Sequence, residues 1–185
     1  MMLLSEEDGR IGVSLAREAL RAAVLHTEFT PPPLPPIFSE KRGVFVTLNR
    51  DGELRGCIGI PLPVVPLKEG ILEAAQSAAL RDPRFTPVRP EELPLITLEV
   101  TILSVPEEVP APPSNRADEV EVGKHGLIVQ GRGRSGLLLP QVASEYGWNA
   151  VEFLDHTCAK AGLPPGCWRD EQVSVLRFEG QIFSE

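Results

Sequence analysis

Basic charge, paired cysteine, histidine and long apolar runs are all scarce in this 185-residue chain. Each scarcity closes off a class of function. A net charge of −8 and a pI near 5.0 argue against a nucleic-acid partner, whose phosphates need a basic face, and leave open only a local arginine patch. No apolar run approaches the ~18 residues that cross a bilayer, so no membrane span is predicted. The chain turns acidic at Ser5-Glu6-Glu7-Asp8, which leaves no room for the apolar core of a signal peptide. Cys57, Cys158 and Cys167 are neither an even set nor a Cys-x-x-Cys pair, a usage that predicts reduced thiols and a cytoplasmic protein. His26, His125 and His156 are scattered, with no His-Glu-x-x-His, so no metal motif is read. Gly131-Arg132-Gly133-Arg134-Ser135-Gly136 does fit G-x-G-x-x-G, but three leucines and Pro140 follow where a dinucleotide site needs a helix. These glycines are read as a turn between strands, and no nucleotide-cofactor motif remains.

What is present is an ordinary globular composition, 42% hydrophobic and 24% charged, at a length suited to one domain with two lobes. Ser5 caps a predicted helix to Leu25, with Leu15/Ala16, Ala19/Leu20 and Ala23/Val24 on one face, and Gly9 and Gly12 weaken its first turns so that the regular part is expected to begin near Ile11. Residues 30–36, with five prolines, read as a stiff extended connector, with a ligand for a proline-reading module as the less favoured alternative. Gly43 to Ile60 reads as a hairpin around Asn49-Arg50-Asp51-Gly52, with a three-residue loop that sets Asn49 across from Glu53 and Cys57 across from Phe45. Val44, Val46, Leu48, Leu54, Ile58 and Ile60 then share the aliphatic face, and Cys57 lies off it. A second helix runs from Pro66 or Leu67 to Leu80, and Pro94 to Val105 alternates as a half-buried strand. Pro106 to Ala117 is an irregular loop, followed by strands at 119–122, 126–130 and 136–139. Short and long helices follow from Pro140 and Asn149, the latter with Val151, Leu154, Cys158 and Ala161 as its buried stripe, and Val173 to Phe178 closes the chain as a strand. Mixed strands and helices of this kind predict an α+β fold.

One segment concentrates the chemistry. In Leu54-Arg55-Gly56-Cys57-Ile58-Gly59, Arg55 and Cys57 project to one side of a strand, where a guanidinium favours the thiolate. Gly56 and Gly59 leave bare backbone that a ligand, or a closely packed chain segment, can approach.

These residues, with Gly43-Val44-Phe45-Val46-Thr47-Leu48, Asp82-Pro83-Arg84-Phe85, Leu98-Glu99-Val100, His125-Gly126-Leu127-Ile128, Gly136-Leu137-Leu138-Leu139-Pro140-Gln141-Val142-Ala143 and Cys158-x-Lys160-Ala161-Gly162-Leu163, resemble the AMMECR family of the Alport syndrome chromosomal region. Its prokaryotic members are labelled protein A of the AmmeMemoRadiSam system. The resemblance runs from Ser5 to Phe183, with the Leu54–Gly59 hexapeptide as the family hallmark, and departs at the Pro31–Pro36 run and the Pro106–Pro113 loop. It implies two intertwined subdomains of mixed, mainly antiparallel sheets packed with helices, together making one domain over residues 1–185. By the shared system name it implies Memo-family and radical-SAM partners, and it leaves the biochemical activity open.

Two functional readings follow. The favoured one is a binding or partner component that recognises a protein or small anion through the Gly56, Gly59 and Arg84 surface. The alternative is an enzyme or enzyme component with Cys57 as nucleophile beside Arg55, Glu99 or His125 as base and Arg84 as anion clamp.

Overall fold

The computed structural model describes residues 3–185 and has the α+β fold the sequence predicts. It divides into two compact units: a first of residues 3–105 with Gln181–Glu185, and a second of Pro106–Gly180. The chain therefore leaves the first unit once and returns to it at its end.

In the first unit α1 (Glu6–Leu25) starts at a complete capping box, with Ser5 Oγ accepting from the Asp8 N–H at 3.1 Å. The helix is regular from Glu6, not from Ile11. Gly9 does not weaken it, because the Phe183 ring packs where a side chain would stand. The sheet comprises β1 (Val44–Arg50), β2 (Glu53–Ile60) and β3 (Ile96–Leu103), in the order β2-β1-β3, with residues 181–184 beside β3. Between β2 and β3 lies α2 (Leu67–Leu80), whose Ile71, Ala74, Ala75 and Ala78 are buried as the small-residue stripe predicts. Val44, Val46 and Leu48 of β1 are fully buried in the same core as these helices. One face of the sheet is thus spent on packing, and the other carries Phe45, Thr47 and Cys57, all half-buried.

The second unit pairs β4 (Glu107–Glu108), β5 (His125–Gly131), β6 (Arg134–Leu138) and the first part of β7 (Ser174–Ser184), all antiparallel. Arg132 and Gly133 turn β5 into β6 with positive φ at both residues, so the glycine motif is a hairpin. The strand expected at 119–122 is absent. Residues Pro113–Glu119 coil as a 3-10 turn, and the N–H groups of Lys124 and His125 fold back on the Glu121 carbonyl. Two helices follow, α3 (Pro140–Tyr146) and α4 (Ala150–Lys160), the latter closed by the Asn149–Glu152 capping box. Its buried face is Phe153, Leu154, Thr157 and Cys158, while Val151 is exposed. No helix among the described residues is long and apolar enough to cross a membrane.

The thiol expectation is corrected here, because Cys158 and Cys167 form a disulfide with Cα atoms 6.1 Å apart. Gly162-Leu163-Pro164-Pro165-Gly166 turns the chain back on α4 and closes the distance; Cys57 stays free. Closing a loop with a sequence separation of 9 constrains the unfolded chain by about 2.5 kcal/mol. Dithiothreitol should lower the thermal midpoint accordingly, and thiol titration of denatured protein should rise from one group to three on reduction. Three reactive thiols without reductant would remove the bridge.

Candidate functional site

The hairpin that carries the hexapeptide departs from its expected register by two steps that add to a slip of two residues. Asp51 and Gly52 both have positive φ and make a two-residue turn in place of a three-residue loop, so Arg50 faces Glu53. The pairing then slips between Asn49↔Leu54 and Leu48↔Gly56, leaving Arg55 as the extra residue of a β-bulge. Beyond the bulge Cys57 lies across from Thr47, not Phe45, and Phe45 lies across from Gly59. Cys57 keeps its predicted side of the sheet, off the aliphatic face, whereas Leu54 is exposed at 43%.

Two acid–arginine clusters grip this strand. At its outer edge the Asp82 carboxylate accepts the Cys57 N–H at 2.9 Å, and Arg84 Nη2 donates to the Cys57 carbonyl at 3.1 Å. Asp82 also accepts from Arg84 Nη2 at 2.7 Å and from Arg84 Nε and backbone N–H at 3.0 Å each. The Arg84 guanidinium holds the Asp82 carboxyl well below the usual carboxylate range despite its burial. At the bulge, Arg55 forks onto Glu92 through Nε at 3.0 Å and Nη2 at 3.1 Å. Arg50 Nη1 donates to the same carboxylate at 3.1 Å, and the Arg89 backbone N–H donates to it at 2.9 Å. Those bonds, the Arg55 fork foremost, hold the Glu92 pKa down at about 2. Phe85 stands between the clusters, its ring centroid 5.5 Å from the Arg84 guanidinium carbon and 5.9 Å from that of Arg55.

The sequence candidates separate on this geometry. Cys57 is half-buried, and Thr47 Oγ1 lies 3.3 Å from its sulfur in hydrogen-bond geometry. Arg55 spends its fork on Glu92, not on the thiol. Glu99 lies across from Thr47 on β3, so Cys57, Thr47 and Glu99 form one row across three strands, with the outer two roughly 10 Å apart. Gly56 and Gly59 do not offer bare backbone on their side-chain sides. A methyl on Gly56 would stand 2.2 Å from the Ala78 carbonyl oxygen, and one on Gly59 would stand 2.4 Å from the Phe45 ring. His125 opens β5 in the second unit, where it is buried, accepts the Glu121 N–H at Nδ1 (3.0 Å) and sets Nε2 4.0 Å from Glu179. Burial and then Arg177 push its pKa below the ordinary value, which keeps it neutral. Among the described residues no group of three or more His, Cys, Asp and Glu is placed to hold a metal ion.

Sequence reading missed Asp82 and Glu92 as partners of the hexapeptide. Asp82 precedes a proline, a position that marks a helix end and gives no sign of a bond to Cys57, and Glu92, in the 3-10 turn Pro90–Leu95, carries no signal at all.

The sequence profile of AMMECR1 matches residues 13–183. The chain belongs to the AMMECR1 family. Relatives of this AMMECR1 chain include a Thermococcus gammatolerans protein, 50% identical over 100% of this chain and 94% of its own, and a Methanosarcina barkeri protein, 52% identical over 99% and 93%. The crystal structure of an uncharacterized Pyrococcus horikoshii protein superposes with a TM-score of 0.80 at 47% identity, covering 98% of this chain and 93% of that one. The fold is therefore shared with that protein over nearly the whole chain.

Proposed function

We propose that this AMMECR1-family chain is a binding component that docks onto a Memo-family protein and a radical-SAM protein through the Cys57 face of its first unit. The identity of the partners comes from the family resemblance. What supports a binding role is the way Cys57 is immobilised: Asp82 and Arg84 take both of its backbone groups, and Thr47 meets its sulfur. A residue fixed in advance loses little entropy when a partner covers it, which favours recognition. The row of Cys57, Thr47 and Glu99 supplies a polar face of fixed spacing beside the Phe45 ring. Immobilised chain should retain both proteins from purified mixtures, and Glu99→Arg should reduce the retained amount at least ten-fold while the fold is kept. If wild-type chain retains neither protein, the reading fails.

A nucleophilic Cys57 is the second reading, favoured by its free, half-buried thiol on the side of the sheet away from the core. Alkylation by iodoacetamide that rises only near the ordinary thiol pKa of ~8.5 would remove it.

A further inference from the structure

We propose that the first unit contains a binding site for a monocarboxylate carried on an apolar group, in the cleft beside Phe85 and the Glu92-bound arginines. The cleft measures about 430 Å³, within the range of small-molecule sites. Its charged lining is Arg50, Arg55 and Arg89 against Glu91 and Glu92, three positive charges to two negative, a local surplus of one. That surplus stands on a chain of net charge −8. One negative charge on the ligand balances it, whereas a polyphosphate would meet the acidic field of the whole molecule.

The donors are oriented before a ligand arrives. Glu92 consumes the Nε/Nη2 fork of Arg55, and Arg55 Nη1 is shielded from solvent with no hydrogen-bond partner among the described residues. Arg55 therefore forms a fixed wall of the cleft, and the donors a ligand reaches are those of the more exposed Arg50 and Arg89. Arg50 is held on Glu92 through Nη1, and Arg89, whose side chain is 72% exposed, stands at the rim with Nη1 3.9 Å from Glu91. The planar guanidinium of Arg50, held on Glu92, and that of Arg89 at the rim match the two coplanar oxygens of a carboxylate. The apolar part of the ligand is read from the other walls. Phe85 is steadied between Arg55 and Arg84, and Leu95 leaves half of its surface uncovered. An aromatic or branched group fits against these two side chains, whether it belongs to a free acid or to the last residue of a peptide. This inference goes beyond the docking proposal and does not depend on it.

The test is a titration of the full chain followed by amide NMR, with phenylacetate, phenylacetamide, inorganic phosphate, and a tripeptide ending in phenylalanine as its acid and as its amide. Phenylacetate should give saturable shifts at Arg50, Phe85, Thr86 and Arg89, and phenylacetamide should give none. Arg50→Gln and Arg89→Gln, both at exposed side chains, should each weaken binding about ten-fold without disturbing the remaining spectrum. Binding of the peptide acid alone would also support the site and assign its ligand to a protein C-terminus. Equal shifts from acid and amide forms, phosphate binding as tight as phenylacetate, or unchanged affinity in the double variant would each overturn the proposal.

Discussion

Gly56→Ala is expected to cost the first unit at least about 3 kcal/mol, enough to unfold a marginal domain at moderate temperature. The added methyl would stand 2.2 Å from the Ala78 carbonyl oxygen and 3.1 Å from its carbon. Both are main-chain atoms of α2, so no side-chain rotation relieves the clash. Either α2 lifts from the sheet, opening the core around Val46, Leu48 and Ala75, or β2 bends away from β1. Gly52→Ala is the comparison, since Gly52 has φ +81 but nothing within 4 Å of a built methyl. It should lose only about 1–2 kcal/mol, the cost of left-handed backbone. Guanidinium denaturation of both variants tests the claim. A Gly56→Ala midpoint no lower than that of Gly52→Ala would show that the close approach of α2 is not what this glycine serves.

The same position shows how far the sequence could be read. Alternation in Val44–Leu48 and Ile96–Ile102 revealed the strands and their buried sides, because a half-buried sheet enforces period two. The side on which Cys57 lies was also legible, though for an incomplete reason. The two-residue turn shifts the pairing by one and the bulge at Arg55 shifts it by one more, so parity returns to the expected face while the cross-strand neighbour changes from Phe45 to Thr47. Gly56 is a weak local hint of a bulge in Leu54-Arg55-Gly56, since a strand glycine also marks close packing, and the bulged Arg55 is held by Glu92, which lies 37 residues away. Asp82 reaches Cys57 across 25 residues. Polar partners at such separations follow no periodicity, so pattern reading found the hexapeptide and missed what holds it. Cys158 and Cys167 failed to register for a related reason, since their pairing depends on the path of the loop between them and not on a spacing rule.

Asp82→Asn carries the second large effect, about 3 kcal/mol of lost stability in the first unit. Asp82 is 4% exposed and accepts the Cys57 N–H as well as three Arg84 donors. An amide in its place removes the charge and turns an NH2 group toward donors, leaving at least one buried N–H unmet. Arg84 is the more exposed half of the pair, its side chain 53% open to water, but Arg84→Ala leaves the buried Asp82 carboxylate without its charge partner and should cost about 2 kcal/mol. Amide hydrogen exchange separates the two variants, with Cys57 protection lost in Asp82→Asn and largely kept in Arg84→Ala. The pH dependence has a definite sign. The folded carboxyl lies below its unfolded value of 3.8, so its contribution is complete above that pH and drains away as acid is added. Glu92, held at about 2 against 4.5 when unfolded, drains over the same acid window. Wild type should therefore lose stability steeply below about pH 4, and Asp82→Asn should show a shallower slope with the Glu92 share remaining. If the variant keeps both the wild-type slope and the Cys57 protection, the Asp82 clip is not what fixes the hexapeptide strand.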